Sequence, residues 1–221
     1  MTFRTEKDSM GPIKVPSDKF WGAQTQRSYQ NFPIGGGRES MPQEILTAFA
    51  LLKKAAARQN ARLCPAQMTA QKCRAIEEVC DEILSGALWE HFPLVIFQTG
   101  SGTQTNMNVN EVIANRANAR LGCSLLHPND DVNMSQSSND TFPTAMHIAA
   151  AAAIEDRLLP ALCALIETLR ELESKNAGVL KSGRTHLQDA TPIAFSQEIS
   201  GWRSGLEQDC SQLRAALPGL Y

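Results

Sequence analysis

The sequence predicts a mainly α protein: a small mixed or helical N-terminal domain followed by the start of a long-helix bundle. Three observations carry that expectation. Apolar residues recur at helical spacing over several long segments, as in Ile45, Leu46, Phe49, Leu52 and Ala56. Five consecutive alanines, Ala149 to Ala153, lie in the longest segment, where small side chains let neighbouring helices approach closely. Strand patterns are scarce. Gly11 to Pro16 qualifies only as a short edge strand, because prolines near both ends remove ladder donors.

The elements follow in order. Apart from that strand, the first forty residues read as irregular, and Gly35-Gly36-Gly37 reads as a turn. It follows no strand and opens no helix, so it is not a phosphate cradle. Pro42 suits the first turn of a helix that Pro65 ends. Thr69 is placed to cap a second helix that turns Cys73, Ile76, Cys80 and Ile83 inward and stops at Gly86. A third is expected from about Asn110 to Leu121, ending at Gly122. The longest begins after Asn139, capped by Asp140 or Thr141, with Pro143 in its first turn; it runs to about Lys175 with a kink at Pro160. A last helix spans roughly Ile193 to Leu217, with Ile199, Trp202, Leu206, Cys210 and Leu213 in register. These long helices carry broad apolar stripes that the preceding elements cannot cover, which predicts further helices or a partner chain. The division expected is an N-terminal domain over 1–136 and the first part of a helical bundle over 137–221.

Composition narrows the function classes. With 43% hydrophobic and 20% charged residues and a net charge of −2, the 221-residue chain fits neither a disordered segment nor a nucleic-acid or membrane surface. No segment approaches the ~20 apolar residues of a membrane span. The polar, acid-containing start resembles neither a secretion signal nor a transit peptide, so a cytoplasmic location is expected. None of the six cysteines (Cys64, Cys73, Cys80, Cys123, Cys163, Cys210) forms a C-x-x-C pair, and the four histidines show no ligand spacing. Buried thiols in a reducing compartment are expected, and no metal site.

Three polar clusters interrupt the helical pattern. Gln98 to Gln104 places Ser101 between two glycines, Gly100 and Gly102, with Thr103 next; such a loop presents hydroxyl and N–H donors to a ligand or serves as a plain linker. His127 to Asp140 carries an amide, hydroxyl or carboxylate at almost every position and ends in Ser137-Ser138-Asn139 at a helix start. A helix needs one or two capping residues, not such a run. Unpaired N–H groups and the positive end of the helix dipole make that place suited to an anion. The third, Ser182 to Pro192, gathers Arg184, Thr185, His186, Gln188 and Asp189 between two helices that need only a short turn. His186, with Gln188 and Asp189 close by, is either an imidazole oriented for proton transfer or an exposed residue of a capped loop. His147 reads as packed or interfacial and His91 as part of a polar turn. His127 reads as an anion ligand or a loop stabiliser.

These clusters, in this order, resemble the fumarase/aspartase superfamily and most closely its class II fumarase branch. Lys7 to Gly11 and Trp21 to Arg27 are similar to it as well, so the resemblance spans nearly the whole chain. It implies a fumarase/aspartase-like fold and reversible hydration of fumarate to L-malate without cofactor. It also implies a small dicarboxylate substrate and a homotetramer whose sites draw on three subunits. Matched position by position, Ser101, Gly102 and Thr103 imply substrate contacts, Ser137, Ser138 and Asn139 a carboxylate-binding corner, and Thr185 a further contact. His186 matches the proton-transfer histidine, where aspartases typically have glutamine. His127, Pro128, Asn129 and Asp130 match a second dicarboxylate site near the entrance. Ser124-Leu125-Leu126 replaces a longer basic insertion, and Met134 stands where lysine is common. The family's Gly-Ser-Ser-x-Met-Pro-x-Lys-x-Asn loop, with its serine base, has no counterpart in these residues, so an inactive N-terminal part of a longer enzyme is expected. An aspartase-like or other superfamily lyase, and a non-catalytic helical fragment that joins complete subunits, remain alternatives.

Overall fold

A computed structural model describes residues 2–35 and 38–221; Gly36 and Gly37 of the expected glycine turn lie outside the described residues. The fold is mainly helical, with two small antiparallel hairpins, and it divides into two compact units that meet between Ala149 and Ala150.

In the first unit, β1 (Phe3–Asp8) pairs with β2 (Gly11–Pro16), from Phe3 opposite Pro16 to Asp8 opposite Gly11. The helix α1 (Ala23–Asn31) follows. The expectation of an irregular start is therefore corrected: β1 and α1 carry little apolar periodicity because distant polar groups hold them. Arg27 donates to both Asp8 oxygens (2.8 and 2.9 Å) and to the Gly11 carbonyl (2.9 Å). That guanidinium holds the Asp8 carboxyl below the usual range.

Three long helices make the core: α2 (Gln43–Leu63), α3 (Ala70–Leu84) and α4 (Thr103–Leu121). Phe49, Ile76, Val79, Ile83, Val109, Val112 and Ile113 are fully or almost fully buried between them. Each such side chain contributes on the order of 1.5–3 kcal/mol. Thr69 caps α3 by accepting from the Lys72 N–H at 3.3 Å, as its position foretold. The third helix starts at Thr103, a full seven residues before the expected Asn110. The buried amides of Asn106, Asn108 and Asn110 hide its periodicity.

The helix α5 (Ser138–Ala153) opens with the Ser137 hydroxyl accepting from the Asn139 N–H at 3.3 Å, so Ser137 rather than Asp140 or Thr141 is its cap. Thr141, Ala145 and Ala149 are buried. The early turns of α5 thus belong to the core of the first unit, and the two compact units part inside the alanine run.

In the second unit, Ile154–Leu158 form a π-helical turn ahead of α6 (Leu159–Lys175), whose first turn holds Pro160. This widened turn stands where a kink was expected, and it accommodates the missing proline N–H. The helix α7 (Phe195–Ala216) packs on α6 through Leu159, Ile166 and Cys210, joined by Leu217 just past its end. Between them lies a hairpin, β3 (Leu180–Thr185) and β4 (Gln188–Ala194), where the sequence predicted a loop. Its residues lack apolar alternation because most are exposed. Among the described residues no helix is long and apolar enough to cross a membrane.

Candidate active site

The first polar cluster is seated by Gln98. Its side-chain oxygen accepts from the N–H and the hydroxyl of Thr105, both at 3.0 Å, and its amide donates to the Val95 carbonyl at 2.8 Å. Gly102 then turns left-handed at φ 67° to start α4. A Cβ there would fall 2.2 Å from Phe142 Cγ in α5, so only glycine admits this approach.

The approach brings two distant segments together. Thr103 Oγ1 lies 2.7 Å from Ser138 Oγ and 3.1 Å from Ser101 Oγ. Thr103 is the first residue of α4 and Ser138 the first of α5, so two helix N-termini stand side by side behind one chain of hydroxyls. Ser101, Thr103, Ser137 and Asn139 are exposed and Ser138 is half-buried. Hydroxyl donors at paired positive helix ends favour an anion, and a carboxylate is the simplest one to match them.

The turn that leads into α5 rests on a buried cation. Lys53 in α2 is 1% exposed and donates to Asn106 Oδ1 (2.8 Å), Asn133 Oδ1 (3.0 Å) and Gln136 Oε1 (2.9 Å). Burial pulls its pKa down from the usual 10.5 to about 7, while the three facing oxygens favour the charged form.

His127 to Asp130 form a separate feature. His127 caps the turn Pro128–Val132, its Nδ1 accepting from the Asp130 N–H at 3.2 Å. Its own N–H donates to Asp131 (2.7 Å), and Asp131 pairs with Lys72 (2.6 Å). His127, Asn129 and Asp130 are exposed, Pro128 half-buried. Two carboxylates beside one lysine make this turn less attractive to an anion than the hydroxyl chain.

Thr185 and His186 lie in the second unit, at the exposed tip of the β3–β4 hairpin. His186 (φ 51°) and Leu187 (φ 63°) occupy both central positions of a two-residue turn in the left-handed region, which non-glycine residues rarely adopt. Asp189, one of the groups close by in sequence, accepts from Arg184 at 3.2 Å. Among the described residues, no group of three or more His, Cys, Asp or Glu side chains is placed to hold a metal ion.

A protein-family profile described as "Lyase" matches residues 11–221. The chain belongs to this lyase family. It is 58% identical over 212 residues to the class II fumarate hydratase of Bacillus cereus, covering 94% of this chain and 45% of that protein. To fumarate hydratase class II 1 of Pseudomonas aeruginosa it is 56% identical, covering 99% of this chain and 47% of that protein. The chain therefore spans about half the length of the curated relatives it matches. Among solved structures, a recombinant class II fumarase from Schistosoma mansoni superposes with TM-score 0.92 at 42% identity, covering 99% of this chain and 46% of that one. A Brucella melitensis protein described as fumarate lyase:delta crystallin reaches TM-score 0.91 at 39% identity, covering 99% of this chain and 51% of that one.

Two buried charged residues of this chain, Lys53 and Glu111, escaped the sequence reading. Lys53 had a visible signal, since it occupies the inward row of α2 with Phe49, Ala57 and Asn60. Glu111 lies among the buried residues of α4. Its buried carboxylate accepts from the N–H groups of Gly22 (2.8 Å), Gln24 (2.9 Å) and Thr25 (3.1 Å) and from the Thr25 hydroxyl (2.5 Å). Burial pushes its pKa up, against those four donors. A Cβ on Gly22 would meet that carboxylate at 2.8 Å, which explains why the motif Trp21 to Arg27 needs its glycine. His91 closes the short turn Trp89–His91, as expected, and is buried there with its Nδ1 accepting from the Phe20 N–H at 3.2 Å.

Proposed function

We propose that this chain supplies the dicarboxylate-gripping part of a class II fumarate hydratase, which reversibly hydrates fumarate to L-malate in the cytoplasm as a homotetramer. The observation that carries the reading is the hydroxyl chain Ser101–Thr103–Ser138 across two helix N-termini. In the malate-to-fumarate direction, a proton leaves the carbon beside one carboxylate, and its electron pair moves into that carboxylate to give an aci-carboxylate dianion. The C–O bond on the neighbouring carbon then breaks and the hydroxyl departs with a proton as water. The demand on the protein is to hold two carboxylates and stabilise growing negative charge, which rigid hydroxyl and N–H donors do well.

Ser101, Gly102, Thr103, Ser137, Ser138, Asn139 and Thr185 take the substrate contacts in this reading, and His186 moves the proton through a water. His127, Pro128, Asn129 and Asp130 form the second dicarboxylate site. The reaction calls for no metal or organic cofactor, and the serine base that the resemblance implies is not among these residues.

The test joins residues 1–221 to the C-terminal half of the Bacillus cereus relative and follows fumarate consumption. Malate formation is expected, and His186→Asn lowers kcat by about 10²–10⁴ with the helical content unchanged. Near-normal turnover in that variant removes His186 from the mechanism. The likeness to the Brucella protein described as fumarate lyase:delta crystallin supports a second reading, another lyase of the same superfamily such as an aspartase-like one. Ammonia released from aspartate by the joined protein, with fumarate left unhydrated, selects it.

A further inference from the structure

Lys53 is the buried cation that this mechanism leaves unused. An ammonium can only donate, so each amide facing it must turn its oxygen inward, and this fixes the orientation of Asn106, Asn133 and Gln136. Asn133 is the hub: its oxygen also accepts from Asn106 (3.0 Å) and Asn110 (3.2 Å), and its amide donates to the Gln136 carbonyl at 3.1 Å. The Gln136 amide in turn donates to the carbonyls of Val132 (3.1 Å) and Met134 (3.2 Å). Between them Ser135 is held at φ 59°, a left-handed conformation that a serine keeps only when its surroundings over-determine it. The residue after this turn is Ser137, the cap of α5. Its three acceptors are all amides, so among the described residues no carboxylate is hydrogen-bonded to Lys53 beneath the start of that helix.

We propose that Lys53 is the positioning residue of the carboxylate-binding corner: through Asn133 and Gln136 it locks the 133–136 turn, so that Ser137, Ser138 and Asn139 present their donors in one fixed arrangement. The assignment rests on the dicarboxylate reading for what the corner binds, but not for the locking itself. A merely space-filling lysine would leave the turn's order and the substrate affinity untouched when an apolar side chain of similar length replaces it.

Two measurements separate these outcomes. In the full 221-residue chain, Lys53→Met is expected to speed backbone amide exchange at residues 134–139 by about tenfold or more while the amides of α3 keep their rates. Gln136→Ala, which removes the Lys53 contact together with the ties to the Val132 and Met134 carbonyls and leaves Lys53 in place, gives the same local pattern. If Lys53→Met does not fold, unchanged exchange at 134–139 in Gln136→Ala overturns the proposal. In the joined enzyme, Lys53→Met raises KM for malate about tenfold and lowers kcat by less than about threefold, the mark of lost ground-state binding. Unchanged exchange at 134–139, or acceleration spread evenly through α2, α3 and α4, overturns the proposal. So does an unchanged KM in an active joined enzyme. If the joined wild type is inactive, the dicarboxylate reading fails while the exchange result still decides whether Lys53 locks the turn.

Discussion

The two units bury their polar groups in opposite ways. The first carries Lys53, Asn106, Asn108, Asn110, Glu111 and Thr141 inside its core, with most of their hydrogen bonds made across long sequence separations. In the second, only Leu159, Ile166, Cys210 and Leu217 form the buried cluster, and Trp202, Leu165, Leu172, Leu180 and Leu187 stay exposed. One unit is thus a finished scaffold whose donors are set before any ligand arrives. The other is a helical hairpin with apolar faces left open, carrying Thr185 and His186 on an exposed tip. Preorganised binding groups need the first kind of support. Faces of the second kind are those that further helices or subunits cover.

The sharpest way to break this contrast is at Gly102. Gly102→Ala meets Phe142 and must also hold φ 67°, and the two effects together cost about 3 kcal/mol. Urea unfolding of the chain measures this, and a change within about 0.5 kcal/mol would show that the close packing of α4 on α5 is not what seats the hydroxyl chain. The smallest effect is expected in the other unit. Trp202, 54% exposed, gives up little folded contact when changed to serine, so Trp202→Ser shifts stability by less than about 0.5 kcal/mol. A loss of about 2 kcal/mol would mean that this face is already covered by a partner under the conditions used.

How much could be read beforehand follows the same division. The helices α2 and α3 were legible because apolar residues mark their inward rows, Pro42 and Pro65 flank the first, and Thr69 and Gly86 flank the second. The start of α4 was not, since its buried face is built from asparagines whose partners lie elsewhere in the chain. The helix α1 and strand β1 depend on Glu111 and Arg27, contacts that local patterns do not reveal. The hairpin bearing His186 escaped because period-two patterning requires a buried face, and β4 is largely exposed. For the site, the hydroxyl and amide residues were visible as types out of place in helical segments. What the sequence could not display was the 2.7 Å meeting of Thr103 with Ser138, or which groups the inward-facing Lys53 holds.

The most direct test of the dicarboxylate grip is a crystal structure of the joined enzyme with a non-reactive four-carbon dicarboxylate bound. The account predicts one carboxylate accepting hydrogen bonds from Ser138 Oγ and Thr103 Oγ1 at about 2.7 Å each, the two hydroxyls having turned from each other to the ligand. A dicarboxylate bound elsewhere, with the Thr103–Ser138 contact intact and Ser101 facing solvent, would contradict it.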